Sequence, residues 1–212
     1  MPYYYYGFDM TYLVIVLPCL LLATLASLSV NSTFRRYSKQ ISSRHITGKD
    51  AAYRVLQANG VTNVRIERVS GNLTDHYDPR ANVIRLSDSV YGTASIAAVG
   101  VAAHEAGHAV QYAKQYAPIK LRAAIIPITN IGSKLAMPLI LIGLLLTFAE
   151  DFSYFFVYLG IACFGLSLVF QLVTLPVEFN ASRRAMNTIE SSNILFLLIG
   201  QFTFDIKVIA VC

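Results

Sequence analysis

Charge is scarce in this chain. Only 14% of its 212 residues are Asp, Glu, Lys or Arg, while 55% are hydrophobic. Soluble domains run at roughly a quarter charged. A membrane-embedded chain with room for one modest polar region is therefore expected. Cysteine is also scarce: Cys19, Cys163 and Cys212 lie far apart, the first two in apolar stretches. No disulfide framework and no cysteine-based metal site is spelled. Internal repeats are absent, and the one low-complexity stretch, YYYY at 3–6, suits an aromatic belt at a membrane interface. The net charge of +5 bears on topology, and no nucleic-acid partner is expected.

Long uncharged runs fill the space that charge leaves. No charge occurs between Asp9 and Arg35, so residues 11–30 are expected to form a first transmembrane helix. A cleaved signal peptide fits poorly, because no basic residue precedes the run. Residues 135–149 make a short second span, with Lys134 at its start. Residues 152–177 make an uncharged third one, linked to the second through Glu150 and Asp151. The tail, 193–212, is apolar but interrupted by Asp205 and Lys207, and reads as a poor fourth span or an interfacial segment.

Nearly every charge falls in 31–134, a region that reads as a small α+β unit. Residues 47–61 form an amphipathic helix that Thr47 caps, with Ala51, Ala52, Val55 and Leu56 on its apolar face. VRIERV (64–69) and NVIRLSD (82–88) alternate as half-buried strands do, and DPRAN (78–82) supplies the turn before the second. A helix from about Ser95 to Tyr112 follows. The expected organisation is thus 1–30 as tail and first span, 31–134 as the polar α+β region, 135–177 as a transmembrane hairpin, 178–192 as a further helix, and 193–212 as the tail. The fold class is a mainly α membrane protein with three or four transmembrane helices. The 14 Lys and Arg of 31–134, with Arg183 and Arg184, put both polar segments on the cytoplasmic side by the positive-inside rule.

The helix at 95–112 carries His-Glu-x-x-His: His104, Glu105 and His108. Residues i and i+4 share a helix face, so both imidazoles can reach one zinc ion. Glu105, one step round, can reach a water on that ion and act as general base. The bland alternative makes His104 and His108 hydrogen-bonded core residues, but a Glu on an otherwise apolar helix is costly without a cation. Glu178 is the first charge after a 26-residue uncharged run and returns to the same membrane surface, with Pro176 able to start a fresh helix there. It is either the third ligand or an interfacial partner of Arg183 or Arg184.

Other residues carry paired readings. His76 and Tyr77 belong either to a substrate-edge strand near the transition state or to an ordinary polar turn at Asp78-Pro79. Arg183 is either a brace for Glu178 or an oxyanion group, or else a membrane-surface anchor.

Four stretches resemble, in order, the bacterial putative neutral zinc metallopeptidase family, the YugP-like proteins. They are GNLTDHYDPRANVIRLSDSVY, VAAHEAGHAVQYAKQYAPIKLR, IPITNIGSKLAMPLILIGLLL and LPVEFNASRRA. The resemblance covers about residues 12–186 and extends more loosely to the membrane gluzincins. It implies a zincin-like catalytic region at the membrane surface and one Zn2+ per chain, held by His104, His108 and Glu178. It further implies Glu105 as base, peptide or protein substrates, and a bacterial inner membrane. Ser182 stands where the related gluzincins carry Asp. Ser182 and Asn180 are the candidates to support a ligand histidine in its place.

Three functions compete at this point. The first is an integral-membrane zinc metalloendopeptidase. The second is a non-proteolytic membrane adaptor with a structural or vestigial zinc site. The third is a small transporter, which the lack of charge within the spans argues against.

Overall fold

The computed structural model describes residues 10–146 and 150–191. Its order is α1 (Met10–Ser38), α2 (Gly48–Ala58), β1 (Arg65–Val69), β2 (His76–Asp78), β3 (Val83–Ser87), α3 (Asp88–Tyr91), α4 (Ile96–Ala113), α5 (Ala117–Leu145) and α6 (Glu150–Ser191). The chain is mainly helical. The helices α1, α5 and α6 each contain a stretch long and apolar enough to cross a membrane. Both YYYY and the tail that read as a fourth span lie outside the described residues.

The polar unit is built as its periodicity demands. Thr47 accepts from the Asp50 amide and Asp50 reaches back to the Thr47 amide, a reciprocal cap for α2. Ala51, Ala52, Val55 and Leu56 are buried on one face of α2, against the alanine-rich α4. Ile84 and Leu86 of β3 are fully buried in the same core, each contributing about 1.5–3 kcal/mol through lost apolar surface. Ser95 caps α4 by accepting from the Ala98 amide.

The sheet has three strands in the order β1-β3-β2. The two expected strands do pair, and they run parallel. The stretch containing His76 and Tyr77 is not an ordinary turn. It forms β2, an edge strand antiparallel to β3. Three residues are too few to show alternation, and this strand is specified by tertiary partners. Arg85 donates to Asp78 at 2.8 Å, and the Tyr77 hydroxyl donates to Asn82 at 2.7 Å. The Arg85 hydrogen bond holds the Asp78 carboxyl at about 2, well below its ordinary value.

The hairpin differs from expectation at two points. The second span is part of a 29-residue helix that begins at Ala117 and runs straight through Lys134. The expected boundary at 134/135 therefore falls inside α5. Hydropathy hides this start because Lys120 and Arg122 lie in its first turns, while Pro118 sits at a helix-initiating position. Pro176 starts no new helix either, since α6 is continuous from Glu150 to Ser191. Close approach binds the two helices. A Cβ on Gly160 would lie 2.8 Å from the Ala136 carbonyl oxygen, so only glycine lets the backbones come this near. Gly107 does the same between α4 and α6, where a Cβ would stand 2.5 Å from the Ala181 carbonyl oxygen. That contact seats the His-Glu-x-x-His helix directly on the helix that carries Glu178.

Candidate metal centre

Helix α4 presents His104 and His108 to α6, and both are buried. Their Nε2 atoms each lie 3.2 Å from Oε2 of Glu178. Of the two sequence readings of Glu178, the structure places it with the histidines. Arg183 is exposed, and Arg184 donates to Asn180.

Hydrogen bonds on the far side of each ring set the protonation. The Ser182 hydroxyl donates to the Glu178 carbonyl at 3.0 Å. Its oxygen is left to accept from His104 Nδ1, 3.2 Å away. Gln111, fully buried on α4, donates through Nε2 to the Val177 carbonyl at 2.8 Å and to Asn180 Oδ1 at 3.0 Å. Its amide oxygen must therefore face His108 Nδ1, at 3.0 Å, and accept from it. Both imidazoles thus carry a hydrogen on Nδ1, and in its neutral form each ring presents the Nε2 lone pair to Glu178.

Three acceptors converge on one point as a result: two imidazole lone pairs and a carboxylate oxygen. The ligand atoms all lie within 4.8 Å of one another. Ligand atoms of a tetrahedral zinc site stand about 3.3 Å apart, from metal–ligand distances near 2.0 Å. The His–Glu separations match that spacing, so this donor set fits the ion.

Glu105 lies outside the cluster but lines the same cavity, of about 620 Å³, as His104, His108 and Glu178. Its Oε2 accepts from the Tyr77 amide of β2 at 2.9 Å, so the edge strand orients the carboxylate. His76 and Tyr77 both border the cavity. His76 is exposed and bonds locally to the Thr74 carbonyl, whereas Tyr77 is half-buried against Tyr112. Burial raises the pKa of the Tyr77 hydroxyl above its ordinary value.

Two site residues escaped the sequence reading, and one expected role moves. Arg183 does not brace Glu178. Arg122 of α5 does, donating to Oε1 at 2.7 Å. Its sequence signal was slight: an arginine two residues after Lys120, near the start of an apolar helix. Gln111 was also missed, although it sits three residues after His108 on the same face. Asn180 supports His108 through Gln111, and the direct contact to His104 comes from Ser182. Ser182→Ala would leave the His104 Nδ1 hydrogen without an acceptor. If His104 holds a zinc ion, affinity for it should fall about tenfold, the low end for losing a partner behind a ligand. A chelator competition titration measures this, and unchanged affinity would remove Ser182 from that role.

Comparison with known proteins places the chain. A family model described as "Putative neutral zinc metallopeptidase" matches residues 12–197. The "Putative membrane protease YugP" of Bacillus subtilis (strain 168) is 43% identical over 186 residues, which cover 88% of this chain and 80% of that protein. No solved structure matches. Agreement of that extent, spanning both helices that supply the histidine and glutamate cluster, means that the chain belongs to the putative neutral zinc metallopeptidase family.

Proposed function

We propose that this chain is an integral-membrane zinc metalloendopeptidase, with His104, His108 and Glu178 as zinc ligands and Glu105 as general base. The convergence of three acceptors carries the reading. Protons can hold both Nε2–Oε2 contacts only if both buried imidazoles are charged, whereas a metal cation satisfies all three groups with the imidazoles neutral. Family membership and the name of the Bacillus relative support the protease class.

Zinc at this point would supply an acidic water near neutral pH and polarise a peptide carbonyl. The remaining tasks fall to the chain's own residues. Glu105, with one oxygen held by the Tyr77 amide, has the other free to take a proton. Ser182 and Gln111 hold the imidazoles in one tautomer. The edge strand β2 borders the cavity and can align an extended peptide beside the base. An adaptor with a closed structural site would gather four protein ligands. Among the described residues, only these three form such a group, and it borders an open cavity.

Helix length supports the membrane setting. The 42 residues of α6 span about 63 Å at 1.5 Å each, roughly twice a 30 Å hydrocarbon core. With the uncharged run from Phe152 in the bilayer, Glu178 falls just beyond it, which supports a zincin-like site at the surface. The charge count favours the cytoplasmic face of a bacterial inner membrane. In a cysteine-free background, a cysteine at Ser43 should then resist an impermeant thiol reagent in intact cells, and one near Asp151 should react. The reverse pattern would overturn the orientation.

Function itself is tested with purified protein and an unstructured peptide. Cleavage should stop on chelation and return with zinc. Cleavage that persists in the fully chelated protein would sink the proposal.

A further inference from the structure

Arg122 grips Glu178 through one oxygen alone. A guanidinium can hold a carboxylate through two parallel hydrogen bonds, one to each oxygen. Here the one bond from Arg122, Nη1 to Oε1 at 2.7 Å, leaves Oε2 to the two histidines. The Arg122 Nε is buried and has no hydrogen-bond partner among the described residues. A buried donor left unspent is costly, so the side chain is not placed to satisfy itself. It comes from α5, whereas the ligands come from α4 and α6.

We propose that Arg122 is a positioning residue that restricts Glu178 to one-oxygen ligation, an inference resting on the assignment of His104, His108 and Glu178 as metal ligands. A carboxylate with both oxygens free can close on a metal ion with both. That second bond would take up space a catalytic site keeps for water and substrate. By occupying Oε1, Arg122 keeps that position open. The role suits arginine, whose planar, permanently charged group fixes direction as well as charge. A purely structural tie between α5 and α6 would support the fold without governing coordination number, so the two roles separate experimentally.

The test uses the full chain in detergent, loaded with Co2+ as a spectroscopic probe. Wild type should bind one cobalt per chain and show the intense visible bands of four-coordinate Co2+. Arg122→Met and Arg122→Gln should still bind cobalt. Their visible absorbance should fall by more than half as Glu178 closes to two-oxygen ligation. Arg122→Lys, which keeps a cationic donor, should recover part of the lost intensity. Thermal melting of each loaded variant identifies those that fold, and two neutral replacements guard against the failure of one. A folded, cobalt-loaded neutral variant with the wild-type spectrum overturns the role of Arg122 and leaves the ligand assignment standing. Wild-type protein that takes up no cobalt overturns the ligand assignment, and this inference with it.

Discussion

Replacing Glu105 by glutamine should leave zinc in place and slow peptide hydrolysis by about 10²–10⁴-fold, the usual contribution of a positioned general base. The separation of effects follows from geometry. Glu105 is not in the group formed by His104, His108 and Glu178, so metal content should not change. Its Oε2 accepts from the Tyr77 amide, and the carbonyl oxygen of a glutamine can accept the same bond. The edge strand β2 therefore stays docked and the cavity keeps its shape. What disappears is a basic oxygen able to take a proton from water during attack on the peptide. The check is kcat/KM on a cleavable peptide beside zinc content and helicity for both proteins. A Glu105→Gln protein that cleaves at near the wild-type rate would remove Glu105 from the mechanism.

The second large effect falls on metal content. His108→Ala should lose nearly all zinc, from about one ion per chain for a three-ligand site. The neighbouring Gln111→Leu should weaken binding by about 10–100-fold without abolishing it. Gln111 is not in the group that could hold the ion. It holds the His108 ring by accepting from Nδ1 while donating to the Val177 carbonyl and Asn180. Leucine fills a similar volume but leaves the His108 donor unmet. A graded series, wild type above Gln111→Leu above His108→Ala in a chelator competition, is expected. Full zinc occupancy in His108→Ala would overturn the ligand assignment. Equal affinity in Gln111→Leu would show that the ring is oriented by something else.

Local pattern carried much of the architecture. The apolar face of α2 is the set Ala51, Ala52, Val55 and Leu56, which 3.6-residue periodicity picks out directly, and the Thr47 cap was equally visible. The i,i+4 pair His104 and His108 needs only a helix to converge. Glu178 was legible as a candidate because an uncharged hairpin has to return the chain to the same surface. What escaped depends on contacts across large sequence distances. Arg122 meets Glu178 56 residues away, and Gln111 meets Val177 66 residues away. No periodicity encodes such pairs. The strand β2 stayed one of two readings because three residues beside an Asp-Pro turn also look like turn chemistry. Its pairing with β3 and its bond to Glu105 are tertiary facts. The start of α5 escaped because the charges that hydropathy reads as outside the membrane lie on the same helix as the span.

The donor set is the central claim, and X-ray absorption at the zinc edge of the purified, zinc-loaded chain tests it most directly. The account predicts two imidazole ligands plus oxygen donors at about 2.0–2.1 Å, without sulfur. A zinc–sulfur distance of about 2.3 Å would bring in a cysteine that the proposed ligand set does not contain and would contradict it.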